Sequence, residues 1–347
     1  MTATTIDLCI FAHNEAASIG DILADLAGQT VMDRPDIDLR VLVMANGCSD
    51  DTAARAEAAR AALPVAIAAR IEVFDLPEGG KSRTWNRYVH GQARQDADLL
   101  MFMDGDIRLV APGVLRRMVE EIRDREELSV FVSRPVKDIV HHRMKTGLVA
   151  KLIAAGGGGL DDSRRAICGQ LYVMRGAVAR GIWLPLGLPV EDGFLRAMVV
   201  SDLRTGPQRL ERIDGDPQVF HIYESIRTLG ELLHHQRRIV IGGAVNSALL
   251  RMMLREAPEL EQARALLRRA AEDEGWLSAR LNEGLPRRPF GYVPFGFLTK
   301  RWRAARQRGG RMGAKAAVTL AVGLVFDAVI YLAASIKMAR GGAAGHW

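Results

Sequence analysis

The sequence predicts an α/β fold with a mainly parallel central sheet flanked by helices and a helical extension at its C-terminal end. Three observations carry this. Short apolar runs rich in strand formers recur through the first 133 residues, helical patterns separate them, and polar segments follow several of the runs directly. Strands buried on both faces read as continuous apolar runs, and the crossovers between parallel strands need helices. In such sheets ligands bind beyond the carboxyl ends of the strands.

The first run is "IDLCIFA" (6–12), and after it Ile19, Ile22, Leu23 and Leu26 fall at i, i+3, i+4 and i+7, one face of a helix. "LRVLVMA" (39–45) is the second strand, with Ser49 or Asp50 placed to cap the alanine-rich helix behind it. "IEVFDL" (71–76), "DLLMFMD" (98–104) and "LSVFVS" (128–133) continue the series. Pro112 suits the first turn of a helix containing Leu115, Met118, Val119 and Ile122. "QVFHIY" reads as a further strand; the Asp-Gly-Asp just before it, Asp214 to Asp216, is expected to be a hairpin or loop turn rather than a metal site. "GGGG" (156–159) is expected to be a connecting loop.

After Thr228 the texture becomes helical and basic, so residues 1–228 are expected to form the main domain and 229–312 an extension. Residues 316–335 carry a single charge, Asp327, and are long enough to cross a bilayer. A carboxylate at midspan costs about 3 kcal/mol. The segment 313–340 is therefore expected to be a transmembrane or membrane-interface helix, with both forms open. Seven Lys or Arg lie between Lys300 and Lys315 with no acidic residue among them, and only Lys337 and Arg340 closely follow the apolar segment. This asymmetry puts the main domain on the cytoplasmic face of the inner membrane.

A hydrophobic fraction of 48% and a charged fraction of 25% are ordinary for a globular protein, so disorder is not the expectation. The net charge of +6 gathers beside the apolar segment, which points to a membrane surface or a phosphate-bearing substrate and not to nucleic acid. Cys9, Cys48 and Cys168 are odd in number and widely spaced, so neither a disulfide framework nor a zinc site is expected. The N-terminal residues have no basic n-region of the kind that opens a signal peptide.

The chemistry is expected where "LLMFMDGDIRLV" (99–110) surfaces from its apolar run. Asp104 and Asp106 project from a strand end, and Gly105 lets a ligand approach the backbone. Such carboxylates suit Mg²⁺ or Mn²⁺ shared with a substrate's phosphates. "PEGGKSRTWN" is not a Walker A loop, because Asp75 stands where that motif needs glycine.

"FAHNEAASIGDIL", "VLVMANGCSDDTA", "GGKSRTWNRYV", "LLMFMDGDIRL", "LPVEDGFL" and "QRRIVIGG" occur in the order found in family 2 glycosyltransferases of the GT-A fold. The resemblance spans about residues 5–245. It implies an inverting transfer of a sugar from a nucleotide diphosphate, UDP being the expected nucleotide, to an acceptor hydroxyl on a lipid or lipid-linked glycan. By the same resemblance Asp192 is the general base and Glu191 supports it. Asp104 and Asp106 hold the metal, with Asp104 also touching the donor. Ala12, His13, Asn14 and Glu15 form the nucleotide turn, Asp50 matches a later acid of the second-strand motif, and Lys81 is a basic residue near the nucleotide. Many members end the second strand in an acidic pair; here Ala45 and Asn46 stand there. Gln236, Arg237 and Arg238 resemble a diminished Gln-x-x-Arg-Trp segment, placed to bind the diphosphate or an anionic acceptor; its missing tryptophan argues against a processive polymer synthase. From the residues alone Asn14 and Asp50 read equally as helix caps, Lys81 as a surface lysine, and His221 as a core or surface histidine before a third metal ligand. A nucleotidyltransferase is the rival enzyme, although "FAHNEAAS" lacks its glycine-rich, arginine-bearing loop. A membrane-tethered scaffold without turnover is the non-enzymatic rival, favoured by Ala45.

Overall fold

The computed structural model describes residues 3–142, 163–285, 292–307 and 313–342. The "GGGG" stretch lies outside them. The strands are β1 (Thr4–Ala12), β2 (Ile37–Asn46), β3 (Ile71–Leu76), β4 (Leu99–Asp104), β5 (Ile107–Arg108), β6 (Val130–Lys137), β7 (Leu171–Arg175) and β8 (Ile213–Tyr223), in one sheet of order β3-β2-β1-β4-β7-β6-β8-β5. The longer helices are α1 (Ile19–Ala27), α2 (Thr52–Ala61), α3 (Lys81–Arg87), α4 (Val114–Asp124), α5 (Asp192–Val200), α6 (Leu229–Glu256), α7 (Leu260–Glu272), α8 (Trp276–Gly284), α9 (Gly296–Gln307) and α10 (Ala314–Ala339).

The unbroken apolar run of β1 has its reason in two cores. Ile6, Leu8 and Ile10 pack on one face with Ile19, Leu23, Met118 and Val119 from α1 and α4. Cys9 and Phe11 pack on the other with Trp85, Phe102, Tyr172 and residues of α5 to α8. Side chains alternate along a strand, so a strand covered on both sides must be apolar at every position.

Register sets the site. β1 pairs in parallel with β2 and with β4, matching Ala12 to Ala45 and Phe11 to Asp104. The segments that follow these strands therefore open onto one rim. At the far side of β4 the sheet changes sense: β7 runs antiparallel to both β4 and β6, while β6 and β8 are parallel to each other. The sheet is thus mixed, with its parallel half carrying the turns that follow β1, β2 and β4.

The second Asp-Gly-Asp departs from expectation. Asp214, Gly215 and Asp216 are strand, paired with Phe131, Val132 and Ser133 of β6, and the pairing then skips from Asp216 to Phe220. Pro217, which cannot donate to a ladder, begins the skipped stretch. Pairing to β6 overrides the local turn preference. Both carboxylates are neutralised, Asp214 by Arg125 at 2.9 Å and Arg164 at 3.3 Å, and Asp216 by Arg117 at 2.8 Å.

Candidate active site

The rim begins where β1 ends. His13 Nδ1 lies 2.8 Å from the Asn46 carbonyl oxygen, and Asn46 Nδ2 donates to the Ala12 carbonyl at 2.8 Å. Gly80 N–H donates to Asn46 Oδ1 at 3.3 Å, so both ends of this buried amide are committed to backbone and brace the rim. Asn14 takes a left-handed conformation, φ 58°, which asparagine tolerates better than most residues. Its Oδ1 accepts from Ser49 N–H at 2.8 Å. It is not a helix cap. Asp50 ties the same two segments: it accepts from Thr52 N–H at 3.1 Å and from Ala16 N–H at 3.2 Å, and these bonds, that of the Thr52 hydroxyl foremost, hold its carboxyl below the usual range. Ala12, His13, Asn14, Glu15, Asn46 and Asp50 are thus brought together.

The second group lies across the end of β4. Lys81, the first residue of α3, is largely buried and is not a solvated surface lysine. Its Nζ meets Asp104 Oδ1 at 2.7 Å, Glu191 Oε1 at 3.3 Å and the Gly169 carbonyl at 3.1 Å. Burial disfavours its charge, but Asp104, Glu191 and Asp192 outweigh that and keep it firmly protonated. Glu191 and Asp192 share a hydrogen bond. Burial, the charge of Glu191 and that bond push the Asp192 carboxyl well above the usual range; Glu191 is also penalised by burial, yet Lys81 and its hydrogen bonds hold it low. Of the two, Asp192 is therefore the stronger proton acceptor.

Asp106 points outward, exposed, beside this cluster. Burial raises Asp104 to about 6, against the pull of Lys81 and with the help of Asp106. Burial raises Glu15 to about 7, its bond from Ser18 opposing and the charges of Asp106, Asp104 and Asp50 adding to the rise. Carboxylates thus crowd one rim with Lys81 as their close counter-charge. Among the described residues no three or more His, Cys, Asp or Glu converge to hold a metal unaided. The excess of hard oxygen donors fits a divalent cation whose remaining ligands come from a bound phosphate or water.

Residues 7–170 match the family model described as "Glycosyl transferase family 2". Over those residues, just under half of the chain, the sequence is that of a family 2 glycosyltransferase domain. Its fold is GT-A: the chain superposes on a mannosyltransferase from Pyrobaculum calidifontis in complex with GDP-Man and Mn²⁺, with 14% identity and a TM-score of 0.54, over 96% of this chain and 88% of that one. A glucosyl-3-phosphoglycerate synthase from Mycobacterium tuberculosis, in complex with Mn²⁺, UDP-Glc and phosphoglyceric acid, is 20% identical over 70% of this chain and 79% of its own, with a TM-score of 0.48. No curated protein matches the sequence.

Gln236, Arg237 and Arg238 sit in the first half of α6, beyond the matched residues. Arg237 meets His234 at 3.4 Å, and Arg238 acts electrostatically on His235. His221 is a core histidine. It is buried between Ser133 Oγ at 3.0 Å and Gln170 Oε1 at 3.1 Å, and burial lowers it to about 3.

Sequence reasoning missed four residues that shape the site. Gln170 accepts the Asp104 backbone N–H at 2.8 Å. Asn246 of α6 donates to the Val190 carbonyl at 3.0 Å, and Gly242 lets α6 approach so closely that a Cβ there would stand 2.5 Å from Val190 Cγ2. Gly169 has φ +70°, and a Cβ on it would clash with Asp192 Oδ1. Only Gly169 carried a signal, a glycine standing two residues before a β-rich run. Gly169→Ala is expected to displace the Asp192 carboxylate and add about 1 kcal/mol of backbone strain, lowering turnover by about tenfold. Gly20→Ala in α1, where a Cβ meets nothing within 4 Å, is the control and should leave turnover unchanged. Steady-state rates of both variants, with thermal melts, check this.

Proposed function

We propose that the protein is an inverting glycosyltransferase that moves a sugar from a nucleotide diphosphate to an acceptor hydroxyl, with Asp192 as general base. The observation that carries this reading is the convergence on Lys81 of Asp104, from the end of β4, with Glu191 and Asp192, from the start of α5. An acid beside the donor and a base beside the acceptor then serve one reaction centre.

The acceptor hydroxyl gives its proton to Asp192 as its oxygen attacks the anomeric carbon on the face opposite the leaving group. A single displacement inverts that carbon. Asp192 is suited to the task because burial and the Glu191 charge raise its proton affinity, while the nearby Lys81 ammonium stabilises the pair. Asp104 and Asp106 would hold Mg²⁺ or Mn²⁺, which when bound supplies charge neutralisation for the departing diphosphate. Asn14 and Asp50 keep the β1 and β2 turns in register as a seat for the nucleotide. Ala45 leaves the end of β2 without a carboxylate, so guanine as well as uracil donors belong in the test.

Gln236, Arg237 and Arg238 are proposed to face an anionic acceptor, and α10, long and apolar enough to cross a membrane, supports a lipid or lipid-linked one at the cytoplasmic membrane face. Residues 1–228 are the proposed catalytic domain, 229–312 its helical extension and 313–340 its membrane segment. The test is incubation of the full chain with UDP- and GDP-sugars and extracted lipids, with Mn²⁺ or with a chelator, followed by mass analysis. Metal-dependent product on lipid supports the reading. Absence of sugar transfer and of donor hydrolysis from every donor removes it and favours the scaffold.

A further inference from the structure

We propose that α10 lies flat in the membrane surface, with one face in the lipid and the other docked on the catalytic body, and does not cross the bilayer. This rests on the membrane attachment proposed above and specifies its form.

The outward face is a line. Val318, Val322, Val325, Val329, Leu332 and Ile336 recur at alternating steps of four and three residues, and each is between 45% and 67% exposed. Such spacing keeps them on one side of the helix over roughly 27 Å. Phe295 and Trp302, in and just before α9, add exposed apolar surface. An isolated exposed valine needs no explanation, but a continuous apolar stripe does.

The opposite face is occupied. Ile330, Tyr331, Ala334 and Met338 are buried in the same apolar cluster as Val240, Ile241, Ala244 and Val245 of α6. Asp327, the charge that makes a spanning helix costly, is on this side and 1% exposed. Arg301 of α9 grips it, Nε to Oδ2 at 2.7 Å and Nη2 to Oδ1 at 3.3 Å, with Lys300 Nζ 3.6 Å from Oδ1. To cross a bilayer the helix would have to leave α6 and carry Asp327 to midspan, with or without its arginine. Lying flat keeps the ion pair under the helix and puts only apolar side chains in the lipid.

Charge selects the occupant. α9 has no acidic residue, and its Arg303 and Arg306 are exposed; Lys337 and Arg340 are exposed at the other end of α10. This pattern complements an anionic lipid surface. A second copy packing stripe to stripe about a twofold axis would set these basic ends against one another, with no acid in α9 and only the buried Asp327 in α10 to offset them.

The test uses the full chain, tagged at its C-terminus, with phosphatidylcholine vesicles prepared with and without phosphatidylglycerol. The expected result is sedimentation that rises at least tenfold with the anionic lipid, release by alkaline carbonate, and a tag cut by protease added on the side of the catalytic domain. Val325→Glu with Val329→Glu, both outside the packed face, should lower vesicle binding at least tenfold while the thermal melt stays unchanged. Carbonate-resistant protein with its tag protected across the bilayer overturns the flat arrangement and leaves attachment standing. Failure to bind any vesicle overturns attachment itself, and a soluble dimer that the same double variant splits assigns the stripe to a second copy instead.

Discussion

Asp192→Asn is expected to lower turnover by about 10³-fold while nucleotide-sugar binding stays within about twofold of the parent protein. The amide keeps the shape of the carboxyl and can still bond Glu191, so the cluster around Lys81 survives the change. What it removes is the only function the proposal gives to Asp192, accepting the acceptor's proton. The pH profile gives a second readout. Burial and the Glu191 charge raise the Asp192 carboxyl, and the base works only when deprotonated. Activity of the parent protein should therefore rise with pH through the pKa of that carboxyl and fall away on its acid side; the variant's residual activity should lose this limb. Glu191→Gln, which leaves Asp192 in place but removes the charge that raises it, should move the limb to lower pH. Single-turnover rates and calorimetric donor binding separate the two effects. Normal turnover in Asp192→Asn would rule out the assignment.

Asp106→Asn is expected to lower activity by about 10²-fold and to raise the Mn²⁺ or Mg²⁺ concentration needed for half-maximal rate by at least tenfold. It is the cleaner probe of the two carboxylates. Asp106 is exposed, whereas Asp104 holds Lys81 at 2.7 Å, so Asp104→Asn would also strip the buried ammonium of its nearest counter-charge. A metal titration of the rate, beside calorimetry of UDP or GDP binding with and without metal, reads the change. An unaltered metal requirement in the variant would remove Asp106 from the metal site.

Much of the rim beyond β1, β2 and β4 was legible in advance. Apolar runs ending in polar clusters located β1, β2 and β4, and parallel pairing then brings their ends together whatever the loops do. Asp104, Asp106, Glu191 and Asp192 stood out as acids at element ends. Less was legible where one residue's meaning depends on another far along the chain. Lys81 stood as a candidate basic residue near the nucleotide with a surface lysine as the alternative, and its burial against Asp104 and Glu191 became visible only in the packed structure. Asp7 reads as a blemish in a strand, yet it is fully buried and held by Arg40 and Arg94, both at 2.8 Å.

Local composition, then, decided where strands and helices form, because periodicity and the cost of burying polar groups act over a few residues at a time. The order of the sheet decided the rest: the reversed β7, the strand that absorbed the second Asp-Gly-Asp, the clearance that Gly169 leaves for Asp192, and the arginine beneath Asp327. Each of these is a contact between residues distant in sequence, whose energy exists only once the elements have packed.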